Sequence, residues 1–268
     1  MLQNVNGIGL HYEMKGSEAP ALLFLHGLGA SSQLWHPQVR FFSGSFKVIA
    51  PTLRGHPPSE EAAIYSIAAF TGDAAGLLDA LKVKRCVVIG SSAGAGIALA
   101  LAAELPEIVC GVVTVSGFAR TEPAQTPYIE QTIERIRAGG IEAVAARLAD
   151  LGFSEATHAK NPGLVGLHCR MLLGNRPEAY LEFWRMMLDY DVTEVLGRVK
   201  CPALIVFGPD DKMVDCRAQT ALQQALPQGR LRCISETGHH PQLEKPGEFN
   251  AALMEFVAAI AWRRCLVP

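Results

Sequence analysis

The sequence predicts an α/β protein, with a mostly parallel sheet flanked by helices and a block of helices inserted after the sixth strand. Three observations carry this. Short β-branched apolar runs alternate with helical segments through residues 1–118. Between residues 119 and 198 the alternation stops and only helical patterns occur. From residue 199 onward it resumes. The expected division is a core of residues 1–118 and 199–268, interrupted by a helical insertion at 119–198.

Taken in order, Asn6-Gly7 between short apolar alternations predicts a hairpin over residues 3–14. Ala21 to Leu25 is a continuous apolar strand that ends in His26-Gly27-Leu28-Gly29. Ser31-Ser32 is placed to cap a helix from Gln33 to Phe42, and Phe46 to Ala50 is the next buried strand. A helix between two such strands implies parallel pairing. Ser66 to Leu81 reads as an amphipathic helix, Cys86 to Ile89 as a strand covered on both faces, Ala93 to Glu104 as a helix, and Val109 to Ser116 as a strand. The insertion shows helices at Tyr128–Ala138, Ile141–Leu151, Leu164–Leu173 and Glu178–Leu188. Asn161-Pro162-Gly163 and Gly174-Asn175-Arg176-Pro177 break them. Ala203–Gly208 and Leu231–Ser235 then read as strands, Arg217–Leu226 and Glu248–Trp262 as helices.

Composition narrows the function classes. With 268 residues, 49% of them hydrophobic and 19% charged, the chain can bury a large core. A net charge of −2, with no run of like charge, leaves no basic surplus for nucleic acid or an anionic membrane. The N-terminus lacks a basic region followed by an apolar one, and no apolar stretch approaches a spanning helix, so a cytoplasmic protein is expected. Seven scattered cysteines without a C-x-x-C pair are expected to be reduced packing groups. His168-Cys169 is not expected to be half of a metal site, because adjacent residues on a helix point apart.

The chain turns on Gly90-Ser91-Ser92-Ala93-Gly94, a G-x-S-x-G at a strand-to-helix corner. Such a corner strains its central residue, and Gly90 and Gly94 belong where a Cβ would strike neighbouring backbone. Ser92 alone would also suit a helix cap. What favours chemistry is company. Ligands of open α/β sheets bind beyond the carboxyl ends of the strands. There the chain also places His26-Gly27-Leu28, Gly208-Pro209-Asp210-Asp211 and Glu236-Thr237-Gly238-His239-His240. A serine hydroxyl needs a base to take its proton, and the imidazole needs a carboxylate to fix its tautomer. Ser92, Asp211 and His239 can fill those roles, in the Ser, Asp, His chain order of one known hydrolase arrangement. Asp210, Asp215 and His240 are the rival choices. His26 is expected to be a loop histidine bonded to backbone, and Arg54-Gly55-His56 a surface turn.

On His26-Gly27, Arg54-Gly55-His56, the Ser92 elbow, Gly208 to Asp211, and Gly238-His239 followed by Glu244-Lys245-Pro246, the sequence resembles the α/β-hydrolases over nearly its whole length, in the capped esterase, enol-lactonase and cofactor-free haloperoxidase-like group. The resemblance implies the α/β-hydrolase fold, Asp211 as acid, His239 as base, and an oxyanion hole from the N–H groups of Leu28 and Ala93. The chain departs from the group's D-x-R-G-x-G-x-S loop, with Thr52 for the Asp and Pro57 for a Gly. Ser91 and His240 stand where hydrolases of ring-cleavage carbon–carbon bonds carry Asn and Trp, and the elbow lacks the Asp nucleophile of dehalogenases and epoxide hydrolases.

The insertion is expected to cap Ser92, its aromatics and methionines lining an apolar pocket. Trp35, Phe118, Tyr128, Phe153, Phe183 and Trp184 are the candidate substrate contacts, with Met171, Met186, Met187 and Tyr190 as further candidates. The expected activity is hydrolysis of small, largely uncharged carboxylic esters or lactones through an acyl-enzyme. No metal or organic cofactor is called for. Perhydrolysis, amide or carbamate cleavage, and a slow-turnover small-molecule receptor are the alternatives.

Overall fold

A computed structural model describes residues 1–264. The chain runs β1 (Leu2–Val5), β2 (Ile8–Lys15), β3 (Ala21–Leu25), α1 (His36–Phe42), β4 (Val48–Pro51), α2 (Ile67–Ala80), β5 (Cys86–Ser91), α3 (Ala93–Glu104) and β6 (Val109–Val115). The insertion follows as α4 (Thr126–Gly139), α5 (Glu142–Leu151), α6 (Glu155–Lys160), α7 (Pro162–Leu173), α8 (Pro177–Met186) and α9 (Thr193–Leu196). The chain closes with β7 (Ala203–Phe207), α10 (Cys216–Ala225), β8 (Gly229–Cys233), α11 (Pro241–Glu244) and α12 (Pro246–Arg264). Among the described residues the strands form one eight-stranded sheet in the order β1-β2-β4-β3-β5-β6-β7-β8. The hairpin pairs antiparallel within itself and onto β4, and the remaining pairs are parallel.

Alternation along the central strands explains the two-sided core. In β3, Leu23 and Leu25 face one apolar layer while Leu22 and Phe24 face the other; in β5, Val88 opposes Val87 and Ile89 in the same way. One layer is closed by α2, α3 and the inserted helices, and the other by α1 and α12 through Val39, Phe42, Phe249 and Leu253. Helix α3 is buried on every side, from Ala93 to Ala102, which accounts for its lack of any polar stripe. At the sheet's far edge, β8 presents the exposed Arg230 and Arg232, charges that discourage pairing with another chain.

The strand order reverses between β3 and β5. One crossover through α1 carries the chain from β3 outward to β4, and the next, through α2, returns it across β3 to β5. That reversal opens a crevice beyond the carboxyl ends of β3 and β5, where the His26–Gly29 loop and Ser92 lie. The two ends of the insertion meet at its base: Val192 N donates to Ala119 O at 2.7 Å and Thr121 N to Tyr190 O at 2.8 Å.

Two of the boundaries that differ from the sequence reading have a visible cause. Residues 32–35 form a 3-10 turn before α1 begins at His36, with the Ser31 side chain accepting from Gln33 N. β4 starts at Val48 because Phe46 is drawn back onto Phe42, with ring centroids 6.0 Å apart. None of the six described cysteines is in a disulfide, and Cys265 lies outside the described residues. No helix among the described residues is long and apolar enough to cross a membrane.

Candidate active site

Ser92 sits between β5 and α3 with φ 55° and ψ −123°, a strained conformation for a residue with a Cβ. The strain is imposed by close packing. A Cβ on Gly90 would lie 2.1 Å from Gly94 O, and one on Gly94 would lie 2.5 Å from His26 O. With both positions bare, α3 presses against the β3 loop and the Ser92 side chain is lifted into a cavity of about 410 Å³.

His239 lines the same cavity. Its Nδ1 is 2.8 Å from Asp211 Oδ2, and both side chains are only 3% exposed. The other oxygen of Asp211 accepts the N–H groups of Met213 and Val214 at 2.8 and 2.9 Å. The carboxylate is thus oriented by its own loop before it meets the imidazole. His239 N donates to Gly152 O at 3.1 Å, which ties the backbone of this histidine to the inserted helices. Glu244 strengthens that tie: its carboxylate accepts Gly238 N at 2.7 Å, Ser154 N at 2.9 Å and the Thr157 hydroxyl at 2.7 Å.

Leu28 also lines the cavity, and Ala93 opens α3, where a helix leaves its first amides without intrahelical partners. Among the described residues neither the Leu28 nor the Ala93 amide donates to another group. Two buried histidines hold the Leu28 loop. His26 bonds Gly27 O through Nδ1 at 2.7 Å and accepts Leu53 N at Nε2 at 2.9 Å, while His56 Nε2 accepts Gly29 N at 3.1 Å. Burial lowers the pKa of His26 to about 4 and that of His56 well below its ordinary value, so both are neutral near pH 7 and their Nε2 atoms can accept.

Arg54 and His56 are therefore not the surface turn that their polarity suggested. They are 7% and 2% exposed. Arg54 Nε and the neighbouring Nη2 each reach a carboxylate oxygen of Asp73, on α2, at 2.6 Å. His56 stacks on Phe183 with ring centroids 4.0 Å apart.

Of the candidate substrate contacts, Phe118, Tyr128 and Trp184 line the cavity. Trp35, Phe153 and Phe183 do not, and this corrects the sequence reading. Trp35 packs beneath the sheet against Phe24 and Phe249, Phe153 against His168 and His240, and Phe183 against His56, Tyr65 and Phe70. Met187 joins the lining, while Met171, Met186 and Tyr190 stay out of it. Sequence reasoning missed Tyr180, Arg147 and His168, all of which line the cavity. His168 and His240 are buried neighbours with ring centroids 4.5 Å apart, and desolvation lowers the pKa of both, to about 4 for His168. The acid pairing goes to Asp211: Asp215 caps α10 and pairs with Arg217 on the surface, and no contact joins Asp210 to His239 among the described residues.

Known proteins resemble this arrangement along nearly its full length. Residues 20–246 match the family described as alpha/beta hydrolase fold. The chain is 28% identical over 260 residues to "Putative carbamate hydrolase RutD" of Caulobacter sp. (strain K31), covering 94% of this chain and 97% of that protein. In structure it is similar to a thermophilic esterase from Thermogutta terrifontis, with TM-score 0.88, 25% identity and 97% of each chain covered. The enol-lactonase from Burkholderia xenovorans LB400 is similar as well, with TM-score 0.88 and 26% identity over 96% of this chain and 100% of that one.

Proposed function

We propose, on the premise that this chain belongs to the alpha/beta hydrolase fold family, that it is a serine hydrolase cleaving small carboxylic esters or lactones through an acyl-enzyme. The observation that carries the reading is the buried 2.8 Å Asp211–His239 contact beside a strained Ser92 in one cavity. Ser92 Oγ attacks the carbonyl carbon while its proton passes to Nε2 of His239. Asp211 holds the proton on Nδ1 and stabilises the imidazolium. The carbonyl π electrons move onto oxygen, which the Leu28 and Ala93 amides receive, each worth roughly 3 kcal/mol in the transition state. His239 returns its proton to the departing alkoxide, leaving Ser92 acylated. A water molecule, deprotonated by His239, then releases the acid and restores the serine. In a lactone the alkoxide stays tethered to the acyl group, and the same steps open the ring.

Residues 119–198 act in this reading as a cap domain on the core of 1–118 and 199–268. Its support is the closed base of the insertion and the contribution of Tyr128, Tyr180 and Trp184 to the cavity that holds Ser92. A cytoplasmic location suits the composition.

A second reading, carbamate hydrolysis, is favoured by the 28% identity to a protein named for that activity. It uses the same residues, the carbamoyl carbon replacing the acyl carbon. Hydrolysis of p-nitrophenyl acetate, butyrate and octanoate by wild type and Ser92→Ala tests the main reading. Repeated turnover abolished in the variant supports it, and turnover surviving in the variant overturns it. Faster steady-state release from an aryl N-alkyl carbamate than from the matched ester would move the assignment to the second reading.

A further inference from the structure

Two buried histidines of the cavity wall have no polar partner. His168, on α7, and His240, which directly precedes α11, both line the cavity and are each 6% exposed. Their ring centroids lie 4.5 Å apart, and that of His240 lies 5.1 Å from that of His239. The Nδ1 atom of each is buried without a hydrogen bond, and neither ring makes one through its other nitrogen among the described residues. His26 and His56, also buried, differ in this respect: each uses both ring nitrogens on backbone atoms of the loops it holds.

Packing holds both rings in place without satisfying them. Phe153 stands against each, with centroids 5.6 Å from His168 and 5.2 Å from His240, and a Cβ on Gly152 would come within 3.1 Å of His240 Cδ2 and Nε2. The bare glycine lets the His240 ring fit against the end of α5. Buried polar nitrogens left unpaired cost free energy, which a ligand that bonds them recovers. Desolvation and the neighbouring imidazoles disfavour the charged form, so each ring presents one N–H and one bare nitrogen. A hydroxyl matches that pattern, because it can donate to one ring and accept from the other, whereas an anion would be set against the bare nitrogens.

We propose that His168 and His240 form a hydroxyl-binding subsite on the leaving-group side of the cavity, so that the substrate is an ester whose alcohol portion carries a second hydroxyl. The placement follows from His239. That residue returns its proton to the departing oxygen, so the alcohol portion lies against its imidazole, and the His168–His240 pair adjoins the same imidazole. The carbonyl oxygen goes to the Leu28 and Ala93 amides instead. One histidine comes from the inserted helices and the other from the core, so the subsite is complete only where the two meet. This rests on the hydrolase reading and deepens it by naming the alcohol portion.

The test compares 2-hydroxyethyl with propyl butyrate, and 3-hydroxypropyl with butyl butyrate. Each pair shares its acyl group and its length and differs in one terminal hydroxyl. Dividing kcat/KM by the rate of alkaline hydrolysis removes the difference in leaving-group acidity. In wild type the corrected value should favour the hydroxy ester in at least one pair. His168→Leu and His240→Leu should each lower that ratio about tenfold, and His168→Gln, which keeps a donor and an acceptor, should restore part of it. A histidine that only supports the fold would slow both esters alike and leave the ratio where it was. Binding is measured separately by calorimetry on the Ser92→Ala protein, where the hydroxy ester should bind more tightly than its alkyl partner and the added His168→Leu change should remove the difference. No preference in either pair, or a ratio that does not move in the leucine variants, overturns the subsite while leaving the hydrolase reading intact. A binding preference that depends on His168, without any turnover by wild type, keeps the subsite and overturns the hydrolase reading.

Discussion

Glu244 offers a quantitative handle on how the inserted helices and the base loop are held together. Its carboxylate takes three donors at 2.7–2.9 Å, one from the base loop at Gly238 and two from the insertion at Ser154 and Thr157. Hydrogen bonds to a charged group contribute about 1.5–3 kcal/mol each, and less where solvent reaches them. Glu244 is half-buried, so about 1 kcal/mol per bond is the appropriate scale, and Glu244→Ala should cost about 3 kcal/mol. In a protein of this size that lowers Tm by roughly 6–9 °C. Catalysis should suffer beyond stability, because the freed Gly238 amide directly precedes His239. A displacement of the imidazole by a fraction of an ångström justifies a fall in kcat of about tenfold. Glu244→Gln keeps an acceptor for some donors but turns an NH2 toward another, so it should fall between. Thermal melts and kcat on p-nitrophenyl butyrate, both below the variant's Tm, decide the matter. A Glu244→Ala protein that melts and turns over like wild type would refute the reasoning.

Three further predictions follow from other parts of the molecule. Asp211→Asn keeps an oxygen for the Met213 and Val214 amides but presents an NH2 to His239 Nδ1, which places the imidazole proton on Nε2; kcat should fall by about 10⁴ while the melting profile stays close to wild type. Gly90→Ala forces a Cβ into the 2.1 Å approach to Gly94 O and should abolish soluble, folded protein, whereas Gly44→Ala, with open space around it, should express normally. A soluble, cooperatively melting Gly90→Ala would contradict the packing account. Acidification should destabilise the fold. His26 and His168 are held neutral with pKa values of about 4, so between pH 6.5 and 4 the unfolded chain binds more protons and each histidine costs about 1.4 kcal/mol per pH unit as pH falls. Urea melts at pH 7, 6 and 5 read this directly, and a midpoint that does not move would count against buried neutral imidazoles.

Much of the architecture is legible because it depends on local pattern. The apolar runs of β3 and β5 and the small residues of α3 announce a buried parallel sheet, and Ser66 caps α2 by accepting Ala69 N as its position suggests. Asp211 and His239 are 28 residues apart in sequence but share the strand-end rim, so the fold rule brings them within reach. What the sequence hides is pairing and rotation. Arg54 looks solvated until Asp73, on α2, neutralises it in the interior. Adjacent residues on α8 diverge, Trp184 lining the cavity and Phe183 stacking on His56, because successive helix positions turn by about 100° and the packing angle of the insertion sets which faces inward.

The most direct test of the central claim is to mix the protein with p-nitrophenyl butyrate, quench in acid within milliseconds, and locate the added mass by peptide mapping. The account predicts a butyryl group on Ser92 that appears with the burst of nitrophenol, decays at the steady-state rate, and persists in Asp211→Asn long enough to accumulate if deacylation is the slower step. Turnover with no adduct on Ser92, or an adduct on another residue that forms and decays at the catalytic rate, would contradict it.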